Sequence, residues 1–322
     1  MYAKIIGSGF HVPDNLVENA FFETIMDTND EWISSRTGIR SRYLSTGENT
    51  SDLGARAAEN ALMDAGLVAE DIDMIIFATM TPDSYMPSTA CVVQKKIGAK
   101  NAFAFDIGAA CSGFMYALAV AKQFIENGTS KKALVIGGEV MSKSLDFTDR
   151  STAVLFGDGA GAVVLEASLE PGIINSYLGS KDDVKDSLVL KGLPVENPFT
   201  KGPQEWNTKM TMDGREVFKF STQIIGEALD KVMEGTGYGL EDVKLIIPHQ
   251  ANSRLIDYAI SKNEVLRDKF YLNVDRYGNT SAGSIAIALS EVRQKNLAKA
   301  GDLVLLVGFG GGFTWGSLLI KL

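Results

Sequence analysis

Three residues in this 322-residue chain have side chains suited to acyl transfer, and each follows a strand-like run: Cys111, His249 and Asn279. Cys111 comes after Ala102-Phe-Ala-Phe-Asp106 and the small residues Gly108-Ala-Ala110, and it opens an apolar helical stretch that reaches Asn127. A thiol at a helix N-terminus lies in the positive end of the dipole, which favours the thiolate and makes a nucleophile. The small neighbours let a carbonyl come close to the backbone. His249 stands in Ile246-Ile-Pro-His-Gln-Ala-Asn252, at the carboxyl end of a strand, where open α/β sheets bind ligands. Asn279 lies in the small-residue turn Gly278-Asn-Thr-Ser-Ala-Gly283. Taken singly, each has a bland structural reading; together they make a nucleophile with two polar partners. Cys91, inside a helical stretch, reads as structural, and His11, in the loop after the first strand, reads as non-catalytic.

Two glycine-rich stretches need separating. Gly157-x-Gly-x-x-Ala162 matches a dinucleotide fingerprint, but it runs into the strand-like Ala162-Val-Val-Leu165 instead of a helix, so that reading fails. Gly308-Phe-Gly-Gly-Gly-Phe-Thr-Trp-Gly316 fits either a tight hairpin or a set of backbone N–H groups facing a bound oxyanion.

The elements that must position these residues alternate between strand and helix. In the first half, the spacing predicts a helix over 51–65 stopped by Gly66, a strand at Met74–Ala78 and a helix after Pro87 that ends near Gly98. Strands at Ala102–Asp106, Ala133–Ile136, Ala153–Phe156 and Ala162–Leu165 follow, the first two flanking the Cys111 helix. The second half repeats the series: a helix around Glu227, strands at Leu245–Ile247 and Tyr271–Asp275, a helix from Ser281 and a strand at Leu303–Leu306. Asp106 and Asp275 are 169 residues apart, while Gly113 and Gly283, and Leu134 and Val304, are 170 apart. One shared offset of half the chain points to an internal duplication. Residues 1–170 then form a half carrying the nucleophile, and residues 171–322 a half carrying His249 and Asn279, packed on each other as a layered α/β structure. Between them, the Gly- and Pro-rich stretch 178–215 breaks the pattern. Its apolar members Leu190, Leu193, Phe199, Trp206 and Met212 are expected to wall a pocket.

Composition narrows the classes. Lys plus Arg is 31 and Asp plus Glu 40, a net charge of −9, which disfavours a general nucleic-acid binder. No uncharged apolar stretch is long enough to span a membrane, and the N-terminal run is too short for a secretory leader. Two cysteines and two histidines are too few for a structural zinc site or a disulfide framework, so a reduced, cytoplasmic setting is expected.

The segment around Cys111, Pro248-His-Gln-Ala-Asn252, Gly278-Asn-Thr-Ser-Ala282 and Gly308-Phe-Gly-Gly-Gly-Phe-Thr-Trp-Gly316 resemble β-ketoacyl-[acyl-carrier-protein] synthase III, a thiolase-superfamily condensing enzyme. The likeness runs the length of the chain and includes Glu31-Trp-Ile-Ser-Ser-Arg-Thr-Gly-Ile-Arg40 and Phe156-Gly-Asp-Gly-Ala-Gly-Ala162. It implies a thiolase-like fold of two duplicated halves in α-β-α-β-α layers. It also implies an initiating step of fatty acid synthesis, in which an acyl-CoA primer acylates the cysteine and then condenses with malonyl-acyl carrier protein as CO2 leaves. By the same resemblance Cys111, His249 and Asn279 are the triad, and the backbone N–H groups of Cys111 and Gly311 form the oxyanion hole. Trp32, Arg36, Thr37, Arg150 and Asn252 bind coenzyme A, with Trp32 and Arg150 around the adenine. Lys219, Arg254 and Lys262 meet the acidic carrier protein. Met86, Met141, Phe156, Leu193 and Met212 are assigned to the acyl pocket, Met86 reaching the pocket of the partner subunit in a homodimer. Met86 departs from the aromatic residue that some family members have there. No cofactor is implied, because coenzyme A thioester is a substrate. A papain-like hydrolase shares the order Cys, His, Asn but lacks its signature here. A non-catalytic carrier-binding subunit and a synthase of a specialised metabolite from coenzyme A esters are the other readings.

Overall fold

The computed structural model of the chain describes residues 1–202, 206–261 and 266–322. In chain order the first half supplies strands β1 (Tyr2–His11), β2 (Met74–Ala78), β3 (Phe103–Ile107), β4 (Lys132–Glu139) and β5 (Gly159–Ser168). Its helices are α1 (Asp30–Thr37), α2 (Thr50–Ala65), α3 (Thr89–Ile97) and α4 (Gly113–Glu126). The second half supplies β6 (Ile173–Ser180), β7 (Val243–Pro248), β8 (Leu303–Gly310) and β9 (Thr314–Lys321), with helices α5 (Gly214–Met233), α6 (Ser253–Ser261) and α7 (Gly283–Gln294).

The first sheet has the order β1-β5-β4-β2-β3, antiparallel across β1-β5-β4 and parallel across β4-β2-β3. The second has the order β6-β9-β8-β7, antiparallel across β6-β9-β8 and parallel between β8 and β7. The two orders and senses coincide, strand for strand, and the fifth position of the second sheet is reduced to a single parallel bridge between Ile246 and Phe270. The duplication read from the residue offsets is thus a duplication of topology.

Side-chain alternation builds the layers. Ile75 and Phe77 of β2, with Leu134, Ile136, Ala162 and Val164, pack under α2 and α3. Met74, Ile76 and Ala78, with Val135, Val163 and Leu165, face the other way onto α4 and α7. The same central helices cover Val304, Leu306, Leu318 and Ile320 of the second sheet, whose outer face packs on α5 and α6 through Leu305, Val307 and Leu319. Five layers result, helix-sheet-helix-sheet-helix. Strands covered on both faces explain why their sequences are continuous apolar runs.

Two strands expected from apolar runs are absent. Ala153–Phe156 is a series of turns, in which the Ala153 N–H bonds the Asp149 carbonyl and the Leu155 N–H bonds the Thr152 carbonyl; only Phe156 makes a bridge, to Asn279. Within Tyr271–Asp275, the Gln250 side-chain oxygen accepts the N–H groups of Asn273 and Val274, and the chain turns into a short helix over Val274–Tyr277. Both runs are apolar because they are packed, not because they are in a ladder.

Candidate active site

Cys111 lies in a one-turn 3-10 segment, Ala110–Ser112, directly ahead of α4. Ala110 holds a left-handed φ of 46°, which turns the chain sharply between strand and helix. The glycine hairpin between β8 and β9 closes over this turn. A Cβ on Gly310 would stand 2.6 Å from the Cys111 backbone nitrogen, so only glycine lets the two backbones approach. The Thr314 hydroxyl sits 2.8 Å from that of Ser112 and 3.1 Å from the carbonyls of Ala109 and Gly311, fastening hairpin to turn. The glycine run is therefore a hairpin, and it lies against Cys111.

His249 follows β7, its N–H bonded to the Val307 carbonyl at 2.7 Å. The Phe309 ring meets the imidazole edge-on at 5.3 Å. Its Nδ1 lies 2.7 Å from the Ser284 hydroxyl on the first turn of α7. With that hydroxyl donating, the ring proton sits on Nε2, and His249 is a neutral donor. Burial pushes its pKa down to about 3. Asn279 is pinned by backbone bonds to Leu155 and Gly157, and its Oδ1 accepts the Ser281 N–H at 2.8 Å. The amide NH2 is the group left for a ligand. The turn sits close because Gly137 of β4 has no side chain: a Cβ there would stand 2.3 Å from the Ala282 carbonyl oxygen.

Cys111, His249, Asn279 and Gly311 line one cavity of about 620 Å³. Burial pushes the Cys111 thiol up to about 12, a hydrogen bond from Ser281 opposing the rise and the charge of Glu139 adding to it. Burial thus favours the thiol, against the helix N-terminus that favours the thiolate.

Of the residues assigned to the acyl pocket, Met141, Phe156 and Met212 line the cavity, as does Leu190. Leu193 does not; it is 71% exposed, on the stretch between Leu188–Leu190 and Met210–Met212, where the chain leaves the cavity wall. Phe199 is exposed as well. Met86 is 87% exposed and outside this chain's cavity.

Asn252 lines the cavity and donates through Nδ2 to the Arg36 carbonyl at 3.1 Å, joining the start of α6 to the end of α1. The guanidinium carbons of Arg36 and Arg150 lie 5.1 and 5.0 Å from the centre of the Trp32 ring. Arg150 is also held by the Asp27 carbonyl at 2.7 Å. Thr37 is buried, and its hydroxyl is used up inside α1, donating to the Ile33 carbonyl and accepting from the Ile39 N–H. It offers a ligand no free side-chain group. Lys219 and Arg254 are exposed beside cavity-lining Phe218 and Leu255, and Lys262 lies outside the described residues. Sequence reading missed Met80 and Phe309 in the cavity wall, Ser284 behind His249, and Glu139 with Ser281 beside Cys111. Only their nearness to the motifs hinted at them.

Among the described residues no group of His, Cys, Asp and Glu is arranged to hold a metal, and no helix is long and apolar enough to cross a membrane.

Known proteins resemble this chain over its whole length. Residues 105–182 match the family model for 3-oxoacyl-[acyl-carrier-protein] synthase III, and residues 233–322 match the model for its C-terminal part. A β-ketoacyl-[acyl-carrier-protein] synthase III of Clostridium perfringens (strain SM101) is 51% identical over 321 residues, 99% of both chains. The crystal structure of 3-oxoacyl-[acyl-carrier-protein] synthase III from Aquifex aeolicus VF5 superposes with a TM-score of 0.93 at 42% identity, covering 99% of this chain and 100% of that one. The priming β-ketosynthase of the R1128 polyketide pathway superposes with a TM-score of 0.92 at 32% identity, covering 100% and 96%. The duplicated, layered α/β fold expected from the residues, and the thiolase-like class expected from the resemblance, are those of these relatives, and the chain belongs to the 3-oxoacyl-[acyl-carrier-protein] synthase III family.

Proposed function

We propose that this protein is a decarboxylating condensing enzyme that joins an acyl-CoA primer to malonyl-acyl carrier protein, initiating fatty acid synthesis. The observation that carries the reading is the pairing, in one cavity, of a thiol with two neutral donors, His249 Nε2 and the Asn279 amide. The Cys111 sulfur attacks the primer thioester, the N–H groups of Cys111 and Gly311 stabilise the oxyanion, and coenzyme A leaves with the thiol proton. Malonyl-carrier protein then loses CO2. His249 and Asn279 hydrogen-bond its thioester oxygen as enolate charge grows there, and the carbon attacks acyl-Cys111. The products are 3-oxoacyl-carrier protein and, after a proton returns, the free thiol. A carboxylate in place of Asn279 would repel the enolate. No cofactor enters this sequence.

Trp32 with Arg36 and Arg150 is a stacking and cation–π platform suited to the adenine of coenzyme A; the guanidiniums near its ring must part to admit a base. Thr37 contributes by ending α1, and Asn252 faces the pantetheine arm. Lys219 and Arg254 flank the mouth with positive charge for an acidic carrier protein, in a chain whose net charge is otherwise −9. The homodimer assigned to this chain draws support from β3, an edge strand with one side unpaired, and from the exposed Phe103, Tyr85 and Met86 nearby in sequence. Both cysteines are free, which suits the cytoplasm. The decisive experiment is mass spectrometry after mixing with acetyl-CoA. An acetyl adduct should form on Cys111, disappear in Cys111→Ser, and pass to malonyl-carrier protein with release of CO2; an adduct on Cys91 would refute the assignment. The polyketide relative at TM-score 0.92 supports a second reading, a primer role in a specialised pathway, which preference among carrier proteins would reveal.

A further inference from the structure

Among the described residues the largest fully buried side chain is a charged one. Arg42 has no exposed surface and sits in a small core of its own, made by Val17, Phe22, Ile33, Leu44, Ala153 and Val154. Its guanidinium carbon lies 4.6 Å from the centre of the Phe22 ring. One terminal nitrogen donates to Asn19 Oδ1 at 2.7 Å and the other to the Val154 carbonyl at 2.6 Å. Both acceptors are neutral. Burial pulls the Arg42 pKa down to about 10 with no charged neighbour opposing it, so the group is still a cation at neutral pH. A cation buried without a counter-charge is costly, and the two bonds it makes show where its role lies.

The two acceptors lead to the two elements that carry the Trp32 platform. Asn19 is buried, and its Nδ2 donates to the Asp30 carboxylate and to the Ile39 carbonyl, both at 2.8 Å. Asp30 opens α1 and Ile39 follows the Gly38 that closes it, so one amide ties both ends of the helix bearing Trp32 and Arg36. Val154 lies in the series of turns over 149–155 that bears Arg150. Trp32 and Leu155 both pack on the same small core. Arg36 and Arg150 come to the Trp32 ring from these different elements, and Arg42 is bonded to both, through Asn19 to the first and directly to the second. A planar guanidinium holds two acceptors in fixed directions at once, which a lysine ammonium on its flexible stem does not.

We propose that Arg42 is a positioning residue for the nucleotide end of coenzyme A: it sets the spacing between Trp32 on α1 and Arg150 on the 149–155 turns, and so shapes the platform that receives the adenine. Arg42 itself is shut away from solvent and does not line the cavity, so it acts through the residues it holds. The proposal rests on Trp32 and Arg150 being the adenine site, and its test includes a Trp32 variant so that the two can fail separately. The Arg42 stem packs on Gly157 and Gly278, where an added Cβ would stand 3.0 and 3.2 Å from its own Cβ. Methionine keeps a stem of similar shape there and removes the two bonds, which makes it the substitution of choice.

The test is calorimetric titration with coenzyme A, together with Cys111 acylation by acetyl-CoA and by acetyl-pantetheine, which lacks the nucleotide, followed by mass spectrometry. Arg42→Met should raise the Kd for coenzyme A by roughly two- to thirty-fold, the share that a cation–π and stacking contact supplies. Acylation by limiting acetyl-CoA should slow in proportion, while acylation by acetyl-pantetheine keeps its wild-type rate. In a Trp32→Ala background Arg42→Met should add nothing. An unmoved Kd overturns the proposal. So does an equal loss with acetyl-pantetheine, or a full effect that persists in Trp32→Ala, since either marks a purely structural role. Trp32→Ala alone with an unmoved Kd overturns the platform reading on which the proposal stands. If Arg42→Met cannot be recovered folded, Asn19→Ala decides: it cuts the tie to α1 and leaves Arg42 on Val154, and an unmoved Kd there overturns the proposal.

Discussion

Burial keeps His249 neutral at neutral pH, and two consequences follow for that residue. Because His249 is a donor and not a base, its loss should fall on decarboxylation. We expect His249→Ala and Asn279→Ala to lower that half-reaction by about 10²–10³ each, with acylation by acetyl-CoA less affected. Equal loss in both half-reactions, measured in single turnovers, would reverse the division of roles. The second consequence concerns stability. The folded His249 stays neutral down to about pH 3, whereas an unfolded histidine takes a proton near 6.5. As pH falls below 6.5 the unfolded chain gains a proton that the folded chain refuses, so stability is lost, by up to about 2 kcal/mol between pH 7 and pH 5. Urea midpoints at the two pH values should therefore differ more in wild type than in His249→Gln; the same difference in both would show that this histidine does not set the acid limb.

At the scale of elements, Asn279 is placed by a polar cluster on α7. Burial alone would raise the Glu291 carboxyl, but hydrogen bonds from Arg276, Asn273 and Lys295 take it down to about 2. Arg276 reaches it with both terminal nitrogens, at 2.6 and 3.0 Å, and the Asn273 amide lies at 2.7 Å. These bonds lock residues 271–277, the segment that delivers Asn279. Their stabilisation is present above pH 4.5 and fades as pH falls toward 2. Glu291→Gln should cost on the order of 1–3 kcal/mol and slow decarboxylation more than acylation, which thermal melts and single-turnover assays would check. No spacing rule could have shown this cluster, since its members meet only after α7 folds back on the 271–277 segment. The helices and doubly covered strands were legible because continuous apolar runs and their stops leave a local trace. Ala153–Phe156 and Tyr271–Asp275 misled for the same reason, since tertiary packing makes a turn as apolar as a strand. That Cys111, His249 and Asn279 meet in one cavity was foreshadowed by each following a strand-like run, whereas Ser284, Glu139 and the outward course of Leu193 depend on contacts between distant segments.

For the whole molecule, the central question is what covers the open side of β3. Phe103 is 42% exposed on that strand and continues an aromatic cluster with Phe105 and Phe124, with ring centres 5.7–6.4 Å apart. An unpaired edge of this kind is a template for a second chain. Sedimentation should give twice the 34.7 kDa of one chain, and Phe103→Glu should shift it toward the single-chain value. If a partner is seated there, Met86 is available to it, and the primer end of the pocket becomes a property of two chains. Methionine has three rotatable bonds and a polarizable sulfur, so it can yield space that a ring would fill. Each further buried methylene adds about 0.8 kcal/mol where there is room, enough to change primer preference several-fold. Met86→Phe should then lower kcat/KM for isobutyryl-CoA relative to acetyl-CoA and leave acetyl-CoA turnover largely intact. Met141, Phe156 and Met212 already line the cavity of a single chain, and if they close it first the ratio will not change, which would remove Met86 from the pocket. The Phe103→Glu variant supplies the internal control: if Met86 acts across the dimer, separating the chains should abolish the difference between methionine and phenylalanine at that position.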